Sequence, residues 1–257
     1  MNDRSSQESR VGAGPKISII SAVFNAMPMA EEMITSVVGQ SYANKEFIII
    51  DGGSTDGTGD LIRKYADDIA YWVSEKDNSI YDAMNKGLSK ATGEWLIFLG
   101  ADDRFYDRDV LRDVFAGSDF VEDFLYGDIK YSNGKYFRSE YSWKLFFKNT
   151  LHHQGVFYNK NIFNDFKYDT VFRILADYDL NLKLYRQKSN GFRVRKIISF
   201  CGHEGISKNV DYRMYREEIR IKRNRFNFFL GIIAAGFVNL KYWSKKTLLF
   251  FKTKKGR

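Results

Sequence analysis

Two hydrophobic periods alternate along the first hundred residues. KISIISA (16–22), EFIIID (46–51), IAYWVS (69–74) and EWLIFLG (94–100) are short apolar runs rich in β-branched and aromatic residues, as expected of buried strands. Between the first two, PMAEEMITSVVGQ carries Met29, Met33, Ile34, Val37 and Val38 at helical spacing. DGTGDLIRKYA predicts a second helix. SIYDAMNKGLSKA predicts a third, with Ala83, Gly87, Leu88 and Ala91 on one side and Gly93 ending it. Strands and helices in this alternation imply βαβ units: an α/β fold with a mostly parallel sheet and helices on both faces.

The pattern changes near residue 120. FLYGDIKYSNGKYFRSEYSW reads as two alternating runs about Asn133-Gly134, a hairpin signal. Helical segments resume near Ala176 and Tyr212. A chain of 257 residues suffices for one large domain plus an appendage. The expected division is a disordered polar segment 1–14, a domain over 15–207 and a basic, amphipathic helical tail over 208–257.

Charge sharpens that division. Residues 208–257 hold 14 Lys or Arg against 3 Asp or Glu, a balance of +11 in a chain whose total is +8. Within the tail, FNFFLGIIAAGFV (226–238) is apolar over 13 residues between basic flanks, too short to span a bilayer, which takes about 20. Such a segment suits an anchor on an anionic membrane surface; a helix packed on the domain is the alternative. No nucleic-acid motif accompanies the charge. A single cysteine, Cys201, excludes an internal disulfide and suits a reducing, cytoplasmic setting.

In a parallel α/β sheet, ligands bind at the carboxyl ends of the strands. Here those ends read SAVFN, DGGSTDGT, SEKDNSIYD and GADD, so a polar, acidic cleft is expected. Gly52 and Gly53 permit a tight turn, and Asp56 suits a helix N-cap. No Gly-Lys-Ser/Thr phosphate loop follows, and Gly-x-Gly-x-x-Gly is absent. Asp102 and Asp103 repel each other unless a cation sits beside them. A hard divalent ion bridging to a diphosphate would account for the pair.

ISIISAVFN (17–25), FIIIDGGSTDGT (47–58), SEKDNSIYDAMNKGLSKATGEWLIFLGADD (74–103), LHHQGVFY (151–158) and ILADYDLNLKL (174–184) together resemble the family 2 glycosyltransferases of GT-A fold, in order and spacing over about residues 16–200. Enzymes of bacterial O-antigen, capsule and exopolysaccharide assembly are the nearest in kind. The resemblance implies a nucleotide-sugar half over 15–104 and an acceptor half over 105–207. It implies inverting transfer from a nucleotide-diphosphate sugar, UDP being the family's commonest nucleotide, to a saccharide or lipid-linked acceptor. It implies Mn²⁺ or Mg²⁺ as cofactor. The basic tail, with its short apolar core, makes the inner face of the cell membrane the expected place of work.

Carried over by position, Ser21, Phe24 and Asn25 line the nucleotide pocket, and Asp51 meets the base, with Gly52 and Ser54 beside it. Asp77, Tyr81, Asp82, Asn85 and Lys86 follow the donor. Asp102 is the metal ligand, Asp103 its neighbour, and His203 is placed to reach the metal or diphosphate. Asp177 is the general base, although Asp177 or Asp179 would also serve as a plain helix cap. His153 and Gln154 lie on the acceptor side; on a strand, only one of His152 and His153 would face the cleft. Gly100 and Ala176 depart from the family, which usually has an acid and a Glu there.

Two other classes compete. A nucleotidyltransferase would want a basic, Gly-rich loop near the first strand, and SAVFNAMPMA has neither Lys nor Arg. A nucleotide-sugar-binding scaffold without activity would tolerate both departures.

Overall fold

The computed structural model describes residues 14–202, 212–226 and 228–255. The expected disordered segment, apart from Gly14, and His203 therefore lie outside the described residues. Three βα steps and a fourth strand open the fold: β1 (Ile17–Val23), α1 (Met29–Val38), β2 (Lys45–Asp51), α2 (Thr58–Lys64), β3 (Tyr71–Ser74), α3 (Ile80–Lys90) and β4 (Trp95–Gly100). β5 (Arg104–Phe105), α4 (Val110–Phe115) and the hairpin β6 (Phe124–Tyr131) to β7 (Tyr136–Phe137) come next. β8 (Val156–Asn159), α5 (Ala176–Gln187) and β9 (Gly191–Cys201) complete the sheet, and α6 (Tyr212–Arg225) and α7 (Phe228–Lys255) end the described chain.

The strands run β3-β2-β1-β4-β8-β6-β9-β5, with β7 on β6. β3, β2, β1 and β4 are mutually parallel, as the βα alternation requires. The second half brings antiparallel pairing: β8 on β4 and on β6, and β5 on β9. The hairpin turns through Gly134 at φ 81°, a left-handed conformation that glycine adopts without strain.

Strand alternation explains the two-sided burial. Ile17, Ile19, Phe47, Ile49, Ile97 and Leu99 pack beneath α1, α2 and α4. Ile20, Ile48, Ile50, Leu96 and Phe98 pack on the other face against α3 and α5. Both faces of the central strands are thus dry, so their runs are continuously apolar.

The tail does not begin where the charge does. Tyr215, Glu218, Ile221 and Lys222 of α6 are buried. The Arg225 guanidinium makes an ion pair with Asp179 of α5. α6 is thus packed on the domain, and the Lys222–Glu218 pair at 2.7 Å is enclosed with it.

Candidate active site

Register aligns the carboxyl ends of the parallel strands: Val23 opposite Asp51, Asp51 opposite Ser74, and Ala22 opposite Gly100. The loops leaving this edge carry most of the expected residues.

Asn25 sits at φ 45° and ties the first loop to the second. Its N–H donates to Ser54 Oγ at 2.7 Å, and its Oδ1 accepts from the Thr55 N–H at 2.9 Å. Asp56 accepts from Met27 N–H at 2.9 Å and Thr58 N–H at 3.0 Å. It thereby caps the start of α2 from one position further out than an N-cap, because Gly57 at φ 98° fills that place. Asp51 is fully buried. Its carboxylate accepts from the Ser54 N–H at 3.1 Å and from the hydroxyls of Ser54 and Ser74, so one acid ties the ends of β2 and β3 to the loop that follows β2.

Above Asp51 the surface opens. Phe24 is 63% exposed. A Cβ added to Gly52 would lie 3.3 Å from its ring and 3.5 Å from an Asp77 carboxylate oxygen, so this glycine floors a narrow bay between an aromatic face and an acid. Lys86 closes that bay, paired with Asp77 and Glu75 at 2.6 Å each. Both bonds push its ammonium pKa upward.

Three expected donor contacts are otherwise engaged. Ser21 shares the parity of Ile19 and Val23, so alternation turns it into the α1 layer; it is fully buried, with its hydroxyl 3.3 Å from Met33 Sδ. It leaves the set lining the cleft. Asn85 exchanges two hydrogen bonds with the Tyr168 backbone, at 2.8 and 3.0 Å. Asp82 accepts from Asn78 at the start of α3.

The two adjacent acids part company. Asp103 is buried, and its Oδ2 accepts from the Gly100 N–H at 2.9 Å. Burial, with Asp102 adding to it, pushes its carboxyl up to about 6. Asp103 is therefore an internal acceptor of the turn, and its expected place beside Asp102 in the cleft is not the one it takes. Asp102 is exposed. Its carboxylate lies against Gly202, where any Cβ would collide with it, and its carbonyl accepts from the Gly202 N–H at 3.1 Å. A hard oxygen donor in a glycine-lined gap fits a divalent ion whose remaining ligands come from a diphosphate. Among the described residues no cluster of three or more His, Cys, Asp or Glu offers a complete metal cage.

Asp177 stands in the first turn of α5. Asn149 Nδ2 donates to its Oδ2 at 3.1 Å. Tyr81, from α3, places its hydroxyl 3.3 Å from Oδ1 and 2.8 Å from the Ile174 carbonyl. Burial raises the Asp177 carboxyl to about 6, against the opposing pull of the Tyr178 backbone N–H, Tyr81 and Asn149. Asn181 in turn donates to Asn149 Oδ1 at 2.8 Å. Tyr81 thus joins the donor half to the base rather than lying along the donor. Asn149 and Asn181 have no sequence signal beyond their nearness to the LHHQ and ADYD blocks.

His153 and Gln154 open a short 3-10 turn before β8, not a strand. The two histidines still diverge: His152 meets Tyr131 and Phe137 edge-on, whereas His153 stacks on Phe98 at 4.8 Å. Burial lowers both, to about 4 and about 3 respectively. Both ring nitrogens of His153 are without a hydrogen-bond partner among the described residues.

Known proteins match this arrangement. The family model described as glycosyl transferase family 2 covers residues 18–192. A PGL/p-HBAD biosynthesis glycosyltransferase of Mycobacterium bovis is 34% identical over 243 residues, 91% of this chain and 93% of its own. Residues 1–349 of S. aureus TarS superpose with a TM-score of 0.69 at 18% identity, over 89% of this chain and 72% of that one. The mannosyltransferase PcManGT of Pyrobaculum calidifontis, solved with GDP-Man and Mn²⁺, superposes with a TM-score of 0.61 at 17% identity, covering 88% and 73%. At those identities the structures speak for the fold, which is theirs: α/β, GT-A. With the family model over most of the domain and a relative aligned along nearly its whole length, the chain belongs to glycosyl transferase family 2 and is a glycosyltransferase.

Proposed function

We propose that this enzyme transfers a sugar, with inversion, from a UDP-sugar to a saccharide or glycolipid acceptor at a membrane surface, as a step of cell-surface polysaccharide or glycolipid synthesis. The observation that carries the reading is Asp177: a carboxyl raised to about 6, held by Asn149 and by Tyr81 of the helix that also carries Lys86 of the donor bay, and able to accept a proton at neutral pH. Asp177 removes the acceptor hydroxyl proton as the hydroxyl attacks the anomeric carbon. Phe24, Gly52, Asp77 and Lys86 bound the bay for the nucleotide. Asp102 would hold a divalent cation, with His203, which follows Gly202 in the sequence, as a further candidate ligand. When bound, the cation neutralises charge on the departing diphosphate.

The choice of UDP has the support of a UDP-GlcNAc complex among the S. aureus TarS structures, one that superposes with a TM-score of 0.68 at 18% identity, covering 82% of this chain and 65% of that one. The glycolipid acceptor has the support of the mycobacterial relative's name. The membrane surface has its support in α7. Ile233, Phe237 and Leu240 recur at helical spacing, and Ile233 and Leu240 are 62% and 68% exposed. On the opposite face Ala234 and Val238 are buried, where α7 packs on α6. No helix among the described residues is long and apolar enough to cross a membrane; contact through this stripe would be interfacial, and the reading places it at the cytoplasmic face.

The test is a thermal-shift screen of UDP-, GDP- and dTDP-sugars, with and without MnCl₂. A UDP-sugar should raise the melting temperature most, and only with the metal. No shift with any nucleotide sugar in either condition would overturn the reading.

A further inference from the structure

We propose that Glu217, on α6, is a positioning residue for the base Asp177, so that the helix following the transferase domain is part of its catalytic apparatus. The inference rests on Asp177 acting as the base.

Three successive backbone N–H groups precede α5, and all three donate to one side chain. Arg173 N–H reaches Glu217 Oε1 at 2.8 Å, and the Ile174 and Leu175 N–H groups reach Oε2 at 3.0 Å each. These donors lie immediately ahead of the helix that carries Asp177, where a helix leaves its first N–H groups without internal partners. A carboxylate there is favoured by both hydrogen bonding and the helix dipole. Most helices take such a cap from their own preceding residue. Here Leu175 precedes the helix and supplies no side-chain bond, and the acceptor comes from more than forty residues away.

The turn that Glu217 grips also sets the base. Its Ile174 carbonyl accepts from Tyr81 at 2.8 Å, and the same hydroxyl stands 3.3 Å from Asp177 Oδ1. The Arg173 guanidinium additionally donates to the Asn78 carbonyl, next to the start of α3. Without Glu217 the turn loses three bonds at once, and the Tyr81 hydroxyl loses a fixed partner. Asp177 would then keep its chemistry and lose its aim. A misplacement of about 1 Å at a reacting group can cost about 10²-fold.

α6 is otherwise secured to the domain by Arg225–Asp179 and to α7 by Lys241–Glu218 at 3.1 Å. Glu218 is therefore the fitting control: adjacent in sequence, buried and ion-paired, yet turned away from the 173–175 turn.

The experiment compares Glu217→Ala, Glu217→Gln and Glu218→Gln, each alone, and Glu217→Ala again in an Asp177→Asn background. Turnover is read as nucleoside diphosphate released, with Mn²⁺ and water as acceptor, from the nucleotide sugar that the thermal-shift screen selects. Amide exchange at residues 173–177 is read alongside and needs no turnover. Glu217→Ala should speed exchange at 173–175 and cut kcat about tenfold or more, with donor KM within twofold. Glu217→Gln, which keeps an oxygen for two of the three donors, should recover most of kcat. Glu218→Gln should lower thermal stability and leave kcat per folded molecule within twofold. In the Asp177→Asn background, Glu217→Ala should add little. If Asp177→Asn alone is harmless, the base assignment fails, and the positioning role with it. If Asp177→Asn is crippling while Glu217→Ala leaves kcat and exchange unchanged, or lowers donor affinity along with kcat, the positioning role alone is overturned.

Discussion

At Asp177, burial and hydrogen bonding pull in opposite directions and burial wins, leaving the carboxyl at about 6. The groups facing it are Asn149 and the neutral tyrosines Tyr81, Tyr158 and Tyr168. Only the ionised form accepts a proton, so transfer should be level above about pH 7 and fall as pH drops through about 6; the pH–rate profile shows this directly. Asp177→Asn should cut transfer by about 10² or more while donor affinity holds, and should erase the acid limb from the residual rate. A parallel fall in donor affinity, seen by calorimetry, would move Asp177 to the donor side. Asp102→Asn should abolish the metal-dependent part of turnover and leave the melting temperature of the ligand-free protein nearly unchanged, because this exposed carboxylate holds no hydrogen bond or ion pair among the described residues. Near-normal metal activation in that variant would send the ligand role elsewhere. Asp103 behaves differently because its oxygen already holds the Gly100 N–H.

Among the elements, α3 shows how closely the donor-side helix is seated. A Cβ at Gly87 would lie 2.4 Å from Ile20 Cγ2 on β1. Helix propensity alone favours Ala over Gly by about 1 kcal/mol, whereas forcing an extra methyl into a packed core costs about 1–3 kcal/mol. The steric cost should win. Gly87→Ala is expected to lower the melting temperature and weaken donor binding, since Lys86 and Tyr81 ride on the same helix. A stabilised variant would mean that β1 and α3 separate more easily than their packing implies. Periodicity made these elements legible: the four parallel strands and the helices α1, α2 and α3 lie where the hydrophobic repeat placed them. β9 was not legible, since Arg193, Arg195 and Lys196 break its apolar pattern. Its burial is set by neighbours β6 and β5 rather than by any local alternation.

For the whole molecule, the basic end of the chain divides into two helices with different duties. α6 belongs to the domain, and α7 offers a stripe of exposed apolar residues flanked by Lys245 and Lys246. Each Lys or Arg near an anionic surface contributes about 1 kcal/mol, screened by salt. Full-length protein should float with anionic vesicles and far less with neutral ones, less again at high salt. A chain ending at residue 226 should lose the binding yet keep its donor site, because α6 remains. Equal flotation with both vesicle types, or none lost on truncation, would remove the membrane from the proposal. Cutting at residue 220 instead would tear α6 from α5 and confound the result.

By itself the sequence determined the α/β order, the polar edge at the strand ends and the family, because these depend on local period and on residues close together in the chain. It also marked Asp177 and Asp102 by position within those blocks. Only the tertiary structure decided which polar groups are free and which are spent. Asp51 is consumed by Ser54 and Ser74, Asp103 by Gly100 and Asn85 by the Tyr168 backbone, while Asp102 stays open. Asn149, Tyr81 and Glu217 reach the Asp177 region from 28 or more residues away. A hydrogen bond depends on distances of about 3 Å, and nothing in the order of residues specifies a distance between groups so far apart until the sheet and its helices have closed around them.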